Sequence, residues 1–503
     1  MYSRIRSAVC SGIEGREVFV ETDLTRGLPG IGMVGLPSAT VMESKDRIRN
    51  AIINSGFDYP KGRITINLTP ASLRKNSNCL DLPIAAGILA SMGSISSESA
   101  DRWGIIGELT LDGRVLGADG ALPMILKMRD AGLDGMIVPE ENRDEAALAG
   151  GNIYTVKDLS ECVDIINDPG RALPVRCEKG EEKERISASL TGPDFGDIIG
   201  QEHAKRAVII AAAGKHGLLM KGNPGCGKTM IACRMPSVMP PMSRREMMET
   251  AIIRSAAGKS IHETDDLYAR PFRSPHHSIG RAGLIGGGAY PVPGEITMAH
   301  NGVLFLDEIC EFDRHTIESL RIPMEEKTIT HFRKGEAFRF PCNFQVLMAA
   351  NPCPCGFLGD KKRECRCTQA DLERYRRKLS GPIMDRIDMS ISMEKVEYED
   401  LAGRNHGMDS ASMARKVEAA VSFARAAGRL GFNSELSSRD LEIHCRLGRD
   451  ESSFMSSAYE SLGLSPRSYA RTLKVARTIA DIEESREIRT VHLAEALSYR
   501  IQE

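Results

Sequence analysis

The stretch Gly222-Asn223-Pro224-Gly225-Cys226-Gly227-Lys228-Thr229 dictates what must surround it. Its G-x-x-x-x-G-K-[ST] spacing works only where a buried strand delivers the chain to the loop and a helix carries it away. Apolar Gly217-Leu218-Leu219-Met220 reads as that strand, and Met230-Ile231-Ala232-Cys233 as the start of that helix. The glycines let the backbone turn tightly, so that successive N–H groups face the β- and γ-phosphates of a nucleotide. Lys228 adds a mobile positive charge, and the Thr229 hydroxyl is placed to hold Mg²⁺. The bland alternative is a glycine-rich turn before an ordinary helix. A second motif about 80 residues further on argues against it. In Gly302-Val303-Leu304-Phe305-Leu306-Asp307-Glu308, an apolar run predicts a buried parallel strand with two carboxylates at its carboxyl end. Open α/β sheets bind ligands at that end. There Asp307 would position Mg²⁺ through its waters, and Glu308 would polarise the water attacking a γ-phosphate. ATP with Mg²⁺ is the expected cofactor set.

The chain has 503 residues, room for about three domains. Its 42% hydrophobic and 27% charged content belong to a soluble globular protein. No apolar run reaches the length of about 18 residues that a membrane span needs. Met1-Tyr2-Ser3-Arg4-Ile5-Arg6 lacks the apolar core of a signal peptide, so a cytoplasmic location is expected. A net charge of −2 gives no general pull toward nucleic acid, and any such contact must come from local patches. One Trp and ten Tyr argue against a base-stacking platform.

Residues 1–168 alternate β-like runs, such as Glu17 to Glu21 and Arg63 to Leu68, with helical stretches such as Val41 to Ser55. Gly107-Glu108-Leu109-Thr110-Leu111-Asp112-Gly113-Arg114-Val115-Leu116 and Val138-Pro139-Glu140-Glu141-Asn142 make this region resemble the proteolytic domain of Lon-type proteases. That resemblance implies an α+β fold and a Ser–Lys catalytic pair. The segment matching the nucleophile is Asp81-Leu82-Pro83-Ile84-Ala85, with Ile84 at the serine position, and the lysine position falls near Leu122. Neither side chain can attack a carbonyl or take a proton, and Lys127 nearby does not replace a nucleophile. A role in assembly or substrate contact is expected instead of peptidase activity. Residues 169–192, with the charged run Glu178 to Arg185, read as a solvated linker.

Residues 193–392 then resemble an AAA+ ATPase core. Asp197-Ile198-Ile199-Gly200-Gln201 is similar to the segment that leads AAA+ chains into the phosphate loop beside the adenine. A third β-like run, Phe344 to Ala350, ends in Asn351, and the resemblance implies that this amide orients the attacking water. In Ser380-Gly381-Pro382-Ile383-Met384-Asp385-Arg386-Ile387-Asp388, Arg386 resembles the arginine finger one subunit inserts into its neighbour's site. Such a finger works only where subunits abut, which implies a ring. Without the resemblance, Arg386 reads as a surface ion-pair partner.

Between the motifs lies an unusual signature. It runs Arg270-Pro271-Phe272-Arg273-Ser274-Pro275-His276-His277-Ser278, Leu284-Ile285-Gly286-Gly287-Gly288, Pro293-Gly294-Glu295-Ile296 and Ala299-His300-Asn301-Gly302. With Asn351-Pro352-Cys353-Pro354-Cys355-Gly356, it closely resembles the magnesium-chelatase-like AAA+ family that includes YifB and the competence protein ComM. The resemblance covers nearly the whole chain. It implies two pore-facing insertions, near 273–288 and near 328–340, the second alternating like a hairpin that turns at Lys334-Gly335. Arg273, Arg281, Arg333 and Lys334 would then grip phosphates without reading sequence, or they are ordinary solvated charges. His276 and His277 have no acid or Cys at ligand spacing beside them, so a structural or pore-loop role is expected.

Cys353, Cys355, Cys365 and Cys367 form a C-x-C-x₉-C-x-C array. Four thiolates complete a tetrahedral Zn²⁺ set with nothing left open for catalysis, although the spacing is tighter than C-x₂-C. Unmetallated cysteines are the alternative, and in a reducing cytosol a disulfide is the weaker rival. The basic run Lys361-Lys362-Arg363 and Arg374 to Lys378 reads as a DNA contact or a wet helix face. From 393 to 503 the sequence turns helical, with a helix over Ala414 to Leu430 stopping at Gly431 and another opening at Pro466. By resemblance this is the lid, and Arg467 matches the sensor-2 arginine on the γ-phosphate, with Arg471 as runner-up.

The expected fold is thus α/β: an AAA+ phosphate-loop parallel sheet with a helical carboxyl-terminal lid, preceded by the α+β Lon-protease-like domain. The expected function is ATP hydrolysis by a homo-hexameric ring acting on single-stranded or branched DNA, as in branch migration. Protein remodelling and magnesium-chelatase-type metal insertion are the rivals.

Overall fold

The computed structural model describes the chain except residues 74, 76–77, 177–192, 260, 262–266, 334, 361–362, 379–380, 396–406 and 501–503. Lys334, Lys361, Lys362 and the charged stretch 177–192 therefore lie outside the described residues.

The amino-terminal part builds on a long hairpin. Strands β1 (Tyr2–Ser11) and β2 (Glu14–Thr25) pair antiparallel from Tyr2 opposite Asp23 to Ser11 opposite Glu14. Their alternation puts Ile5, Val18 and Val20 on the buried face. Strand β3 (Gly30–Val34), helix α1 (Ala39–Asn54) and strand β4 (Arg63–Thr69) follow. Then come α2 (Asp81–Met92), β5 (Trp103–Ile105), α3 (Ala121–Arg129), β6 (Gly135–Pro139) and β7 (Ile153–Val156). The sheet runs β3-β4-β2-β1-β5-β6-β7. Ile84 and Leu122 sit in the first turns of α2 and α3, both fully buried. Asp81 is buried beside Arg47, whose Nε donates to it at 2.7 Å. Burial pushes that carboxyl up to about 6 despite the guanidinium.

The second sheet is all parallel. After α4 (Glu202–Gly214), β8 (Leu218–Gly222) leads through the glycine-rich loop into α5 (Lys228–Arg234). Helix α6 (Arg244–Ala256) precedes β9 (Phe272–Arg273) and β10 (Val303–Leu306). The hairpin β11 (Thr328–Arg333) and β12 (Glu336–Pro341) precedes β13 (Gln345–Ala350), α7 (Gln369–Lys378) and β14 (Met389–Met393). The sheet order is β9-β10-β13-β8-β14. Every pairing in it is parallel. Such strands are covered on both faces, which is why they read as unbroken apolar runs. Because all five run the same way, the loops after Gly222, Leu306 and Ala350 emerge together at one end.

The carboxyl-terminal helices α8 (Ser410–Ala426), α9 (Pro466–Ile482) and α10 (Thr490–Ser498) share a core with this sheet. Helix α8 ends before the expected stop: Ala427 caps it and Gly428, not Gly431, takes the left-handed conformation, at φ +82°. Arg206 clasps Glu495 with two bonds of 2.8 and 2.9 Å. His216, fully buried, bridges Asp388 Oδ2 at 3.2 Å and Thr478 Oγ1 at 2.8 Å, tying lid to sheet. Within the lid, Asp481 collects Arg429, Arg477 and Asn433, all buried.

Among the described residues, the amino-terminal part meets the ATPase core along helix α6 and again at the hairpin. Helix α6 packs on α3, with Ser255 accepting the Gly120 N–H on its carbonyl (3.0 Å) and the Leu122 N–H on its hydroxyl (3.2 Å). Ala251 thereby joins the first core. At the other contact, Phe338 and Phe340 of the hairpin pack against Gly12 in the β1–β2 turn. Arg16 adds an ion pair with Glu336 at 3.5 Å.

Candidate functional site: a phosphate loop and two distant arginines

The loop after β8 adopts the conformation its glycines permit. Gly225 and Gly227 have φ +80° and +93°. A Cβ at either would meet no atom within 4 Å, so backbone conformation rather than space demands glycine there. Gly227 caps α5, whose first N–H groups therefore open onto the loop. The Lys228 side chain folds over it. Its Nζ donates to Gly222 O (2.6 Å), Asn223 O (3.1 Å) and Asn351 Oδ1 (3.2 Å).

The three carboxyl strand ends converge as their parallel register requires. Thr229 Oγ1 donates to Asp307 Oδ2 at 2.8 Å. The pair sets a hydroxyl able to ligate Mg²⁺ beside a carboxylate able to hold that ion's waters. Glu308 is exposed beside them in the left-handed conformation, φ +50°. Cys226 is buried beneath the loop, and Pro224 is exposed on its rim. Gln201 takes the left-handed conformation at φ +58°, and its Nε2 donates to Glu394 O at 2.6 Å. Bound at this end, a nucleoside triphosphate would find backbone N–H donors, one ammonium, two metal-ligating oxygens and a free carboxylate.

Arg386 and Arg467 lie elsewhere. In the register of β8 with β14, Leu218 faces Met389 and Gly222 faces Met393. Arg386 precedes Met389 and so belongs to the amino end of the sheet. At about 3.3 Å per residue, the four steps of a five-residue strand put roughly 13 Å between its ends. There Arg386 pairs with Glu325, and Arg467 with Asp385 at 3.5 Å. Both line one cavity of about 210 Å³ with Ala470, Arg471 and Lys474. Arg471 is anchored on the carbonyls of Met384 (3.1 Å) and Ile387 (2.6 Å). Arg467, matched by resemblance to a sensor-2 arginine on the γ-phosphate, thus stands with Arg386 at the end of the sheet opposite the phosphate loop of its own chain.

The expected phosphate-gripping arginines also divide. Arg273 is half-buried in a two-bond pair with Glu295 (2.6 and 2.7 Å). That spends the charge on the fold, and 22 residues of separation hid the pairing. Arg333 donates to Gly288 O at 3.0 Å, joining the two insertions. Arg281 is exposed. His276 and His277 pack ring to ring at 4.0 Å, and neither joins a metal-competent cluster among the described residues.

The cysteines do make such a cluster. The Sγ atoms of Cys353, Cys355, Cys365 and Cys367 all lie within 4.8 Å of one another. Cys353 is 3.4 Å from Cys355 and 3.7 Å from Cys365, and Cys355 is 3.6 Å from Cys365. A tetrahedral ion with metal–sulfur bonds of about 2.3 Å sets its sulfurs about 3.8 Å apart, so the quartet fits one ion. Sequence reading missed Asp360 beside it. Its carboxylate accepts from Asn223 Nδ2 at 2.9 Å and Lys395 Nζ at 2.6 Å.

A parallel sheet ordered β9-β10-β13-β8-β14, with a phosphate loop, an Asp-Glu strand end and a helical lid, defines the AAA+ class of P-loop folds. The comparisons with known proteins narrow that class. Residues 194–401 match magnesium chelatase, subunit ChlI, residues 20–142 match the family described as subunit ChlI of Mg-chelatase, and residues 407–500 match the ChlI C-terminal family. The competence protein ComM of Haemophilus influenzae is 39% identical over 501 residues, covering 99% of this chain and 97% of that one. YifB of Escherichia coli is 39% identical over 503 residues, with the same coverage. Lon protease 2 of Bacillus subtilis is 28% identical over 152 residues, 29% of this chain and 28% of its own. The chain belongs to the magnesium-chelatase-like AAA+ family of YifB and ComM. No helix among the described residues is long and apolar enough to cross a membrane.

Proposed function

We propose that this chain hydrolyses ATP as a homo-hexameric ring in the cytoplasm and uses the cycle to move along or remodel DNA. The observation that carries the reading is the separation within one chain. Lys228, Thr229, Asp307, Glu308 and Asn351 gather at the carboxyl end of the sheet, while Arg386 and Arg467 gather at the other. Residues 193–392 then act as the motor core and 393–503 as its lid, with 1–168 steering and 169–192 as the linker. Gly222 to Thr229 hold the triphosphate. Thr229 and Asp307 hold Mg²⁺, which neutralises charge developing on the phosphates. Glu308 polarises the attacking water, and Asn351 orients it. Arg386 and Arg467 complete the site of the adjoining copy, which makes assembly a condition of turnover. A structural Zn²⁺ on Cys353, Cys355, Cys365 and Cys367 completes the cofactor set.

The reading of the substrate as DNA rests on the likeness to the competence protein ComM, 39% identical over 501 residues, and on Arg281, exposed on the first insertion. ATP hydrolysis with and without single-stranded, duplex and branched DNA tests it, followed on a gel by migration of a four-way junction. Stimulation by branched or single-stranded DNA with ATP-dependent migration is expected. Neither stimulation nor migration would remove the DNA reading, and stimulation by a protein client alone would put the remodelling reading in its place.

A further inference from the structure

We infer that the cysteine quartet, closed by its metal, clamps the phosphate loop, so that zinc and nucleotide binding are linked. The inference rests on the zinc reading above and goes past it, from a site that shapes its own loop to one that acts on the ATP site.

The segment from Cys353 to Cys367 has almost no core of its own. Among its described residues, only Cys353 and Gly356 are buried. A loop this exposed is not held shut by apolar packing, and four thiols drawn this close gain their stability from a shared cation. Yet the loop presses on the nucleotide site at several points. Gly356 sits at φ +83° with its Cα so close to Pro224 that a Cβ would lie 2.8 Å from both the Cγ and Cδ of the ring. Asp360, its side chain 3% exposed, bonds Asn223 and also takes the Arg363 N–H at 3.0 Å. Asn351, two residues before Cys353, takes the Lys228 ammonium. Opening the knuckle would therefore loosen Asn223, Pro224 and Lys228 together. The loop's N–H groups would have to be ordered by the nucleotide itself, and affinity would fall. By reciprocity the bound nucleotide must tighten zinc by the same factor.

The test uses the purified full chain. Elemental analysis should find one zinc per chain. Stripping it with a zinc-selective chelator, with Mg²⁺ kept in excess, should weaken binding of a fluorescent ATP analogue on the order of tenfold. Zinc affinity, from equilibrium competition with a chromophoric chelator, should rise by the same factor when a non-hydrolysable ATP analogue is present. Since cysteine variants could simply unfold the loop, Asp360→Asn serves as the second probe. It keeps all four thiolates, so it should retain zinc while binding the analogue more weakly and losing most of the linkage. Absence of bound metal would sink the zinc reading and the clamp with it. One zinc per chain, with nucleotide affinity unmoved by stripping or by Asp360→Asn, would overturn the clamp and leave the zinc reading standing.

Discussion

If Arg386 serves the neighbouring copy, two inactive variants should repair each other. Arg386→Ala leaves the chain's own phosphate loop intact, because Arg386 lies at the far end of the sheet from Gly222. It should bind a fluorescent ATP analogue normally and lose turnover on the order of a thousandfold, about 4 kcal/mol of transition-state stabilisation. The resting pair with Glu325 does not change that estimate. Glu325 is 53% exposed and the Arg386 side chain 9%, and whatever releasing the pair costs is already contained in the unmodified turnover against which the loss is measured. Lys228→Ala removes the ammonium that meets Asn351 and should abolish turnover while its own Arg386 stays available. In an equimolar random ring, a working site needs Lys228 from one chain and Arg386 from the next. Each condition is met half the time, so the mixture should recover about one quarter of unmodified turnover. Phosphate release is the assay, with differently tagged variants co-purified to prove that mixed assemblies form. Mixed assemblies no more active than either variant alone would refute action across subunits. So would normal turnover by Arg386→Ala by itself.

Three further outcomes follow from named contacts. Glu308→Gln keeps the exposed side chain's shape and removes its charge, so analogue binding should persist while phosphate release falls by about 10²- to 10³-fold. Asp481→Ala strands the buried guanidinium groups of Arg429 and Arg477, and denaturant titration should find the chain less stable by about 3–5 kcal/mol. Lys215 is lowered to about 8 by burial, with Glu435 opposing the shift. Between that value and about 10.4, the unfolded chain holds the proton and the native chain does not, so this group makes stability rise with pH over that window. Below pH 8 both states are charged and its full penalty remains. Lys215→Met should therefore remove about 2 kcal/mol of the stability gained between pH 8 and pH 10, measured by denaturation at both.

What the sequence disclosed and what it hid divide along the reach of the forces involved. The strand, the glycine loop and the helix from Leu218 to Arg234 are contiguous, and each is demanded by its neighbours, so the phosphate-binding end was legible before any coordinate. Asp307 and Asn351 were legible for a related reason: an apolar run that stops at a carboxylate or an amide marks the end of a buried parallel strand. The hairpin over Thr328–Pro341 followed from alternation, but its packing against Gly12 did not, because nothing in a strand pattern names the partner of its outer face. Arg273 looked like a free cation until the fold brought Glu295 to it, and Asp360 meets Asn223 across 137 residues that no local pattern spans. Arg467 shows the limit most sharply. Its motif resemblance was local, but its place depends on Arg471 gripping the Met384 and Ile387 carbonyls, which seats the lid against the amino end of the sheet. A motif can say which chemistry an arginine performs. Only the direction of β14 and the seat of the lid decide how far it stands from its own phosphate loop, and here both put it at the opposite end of the sheet.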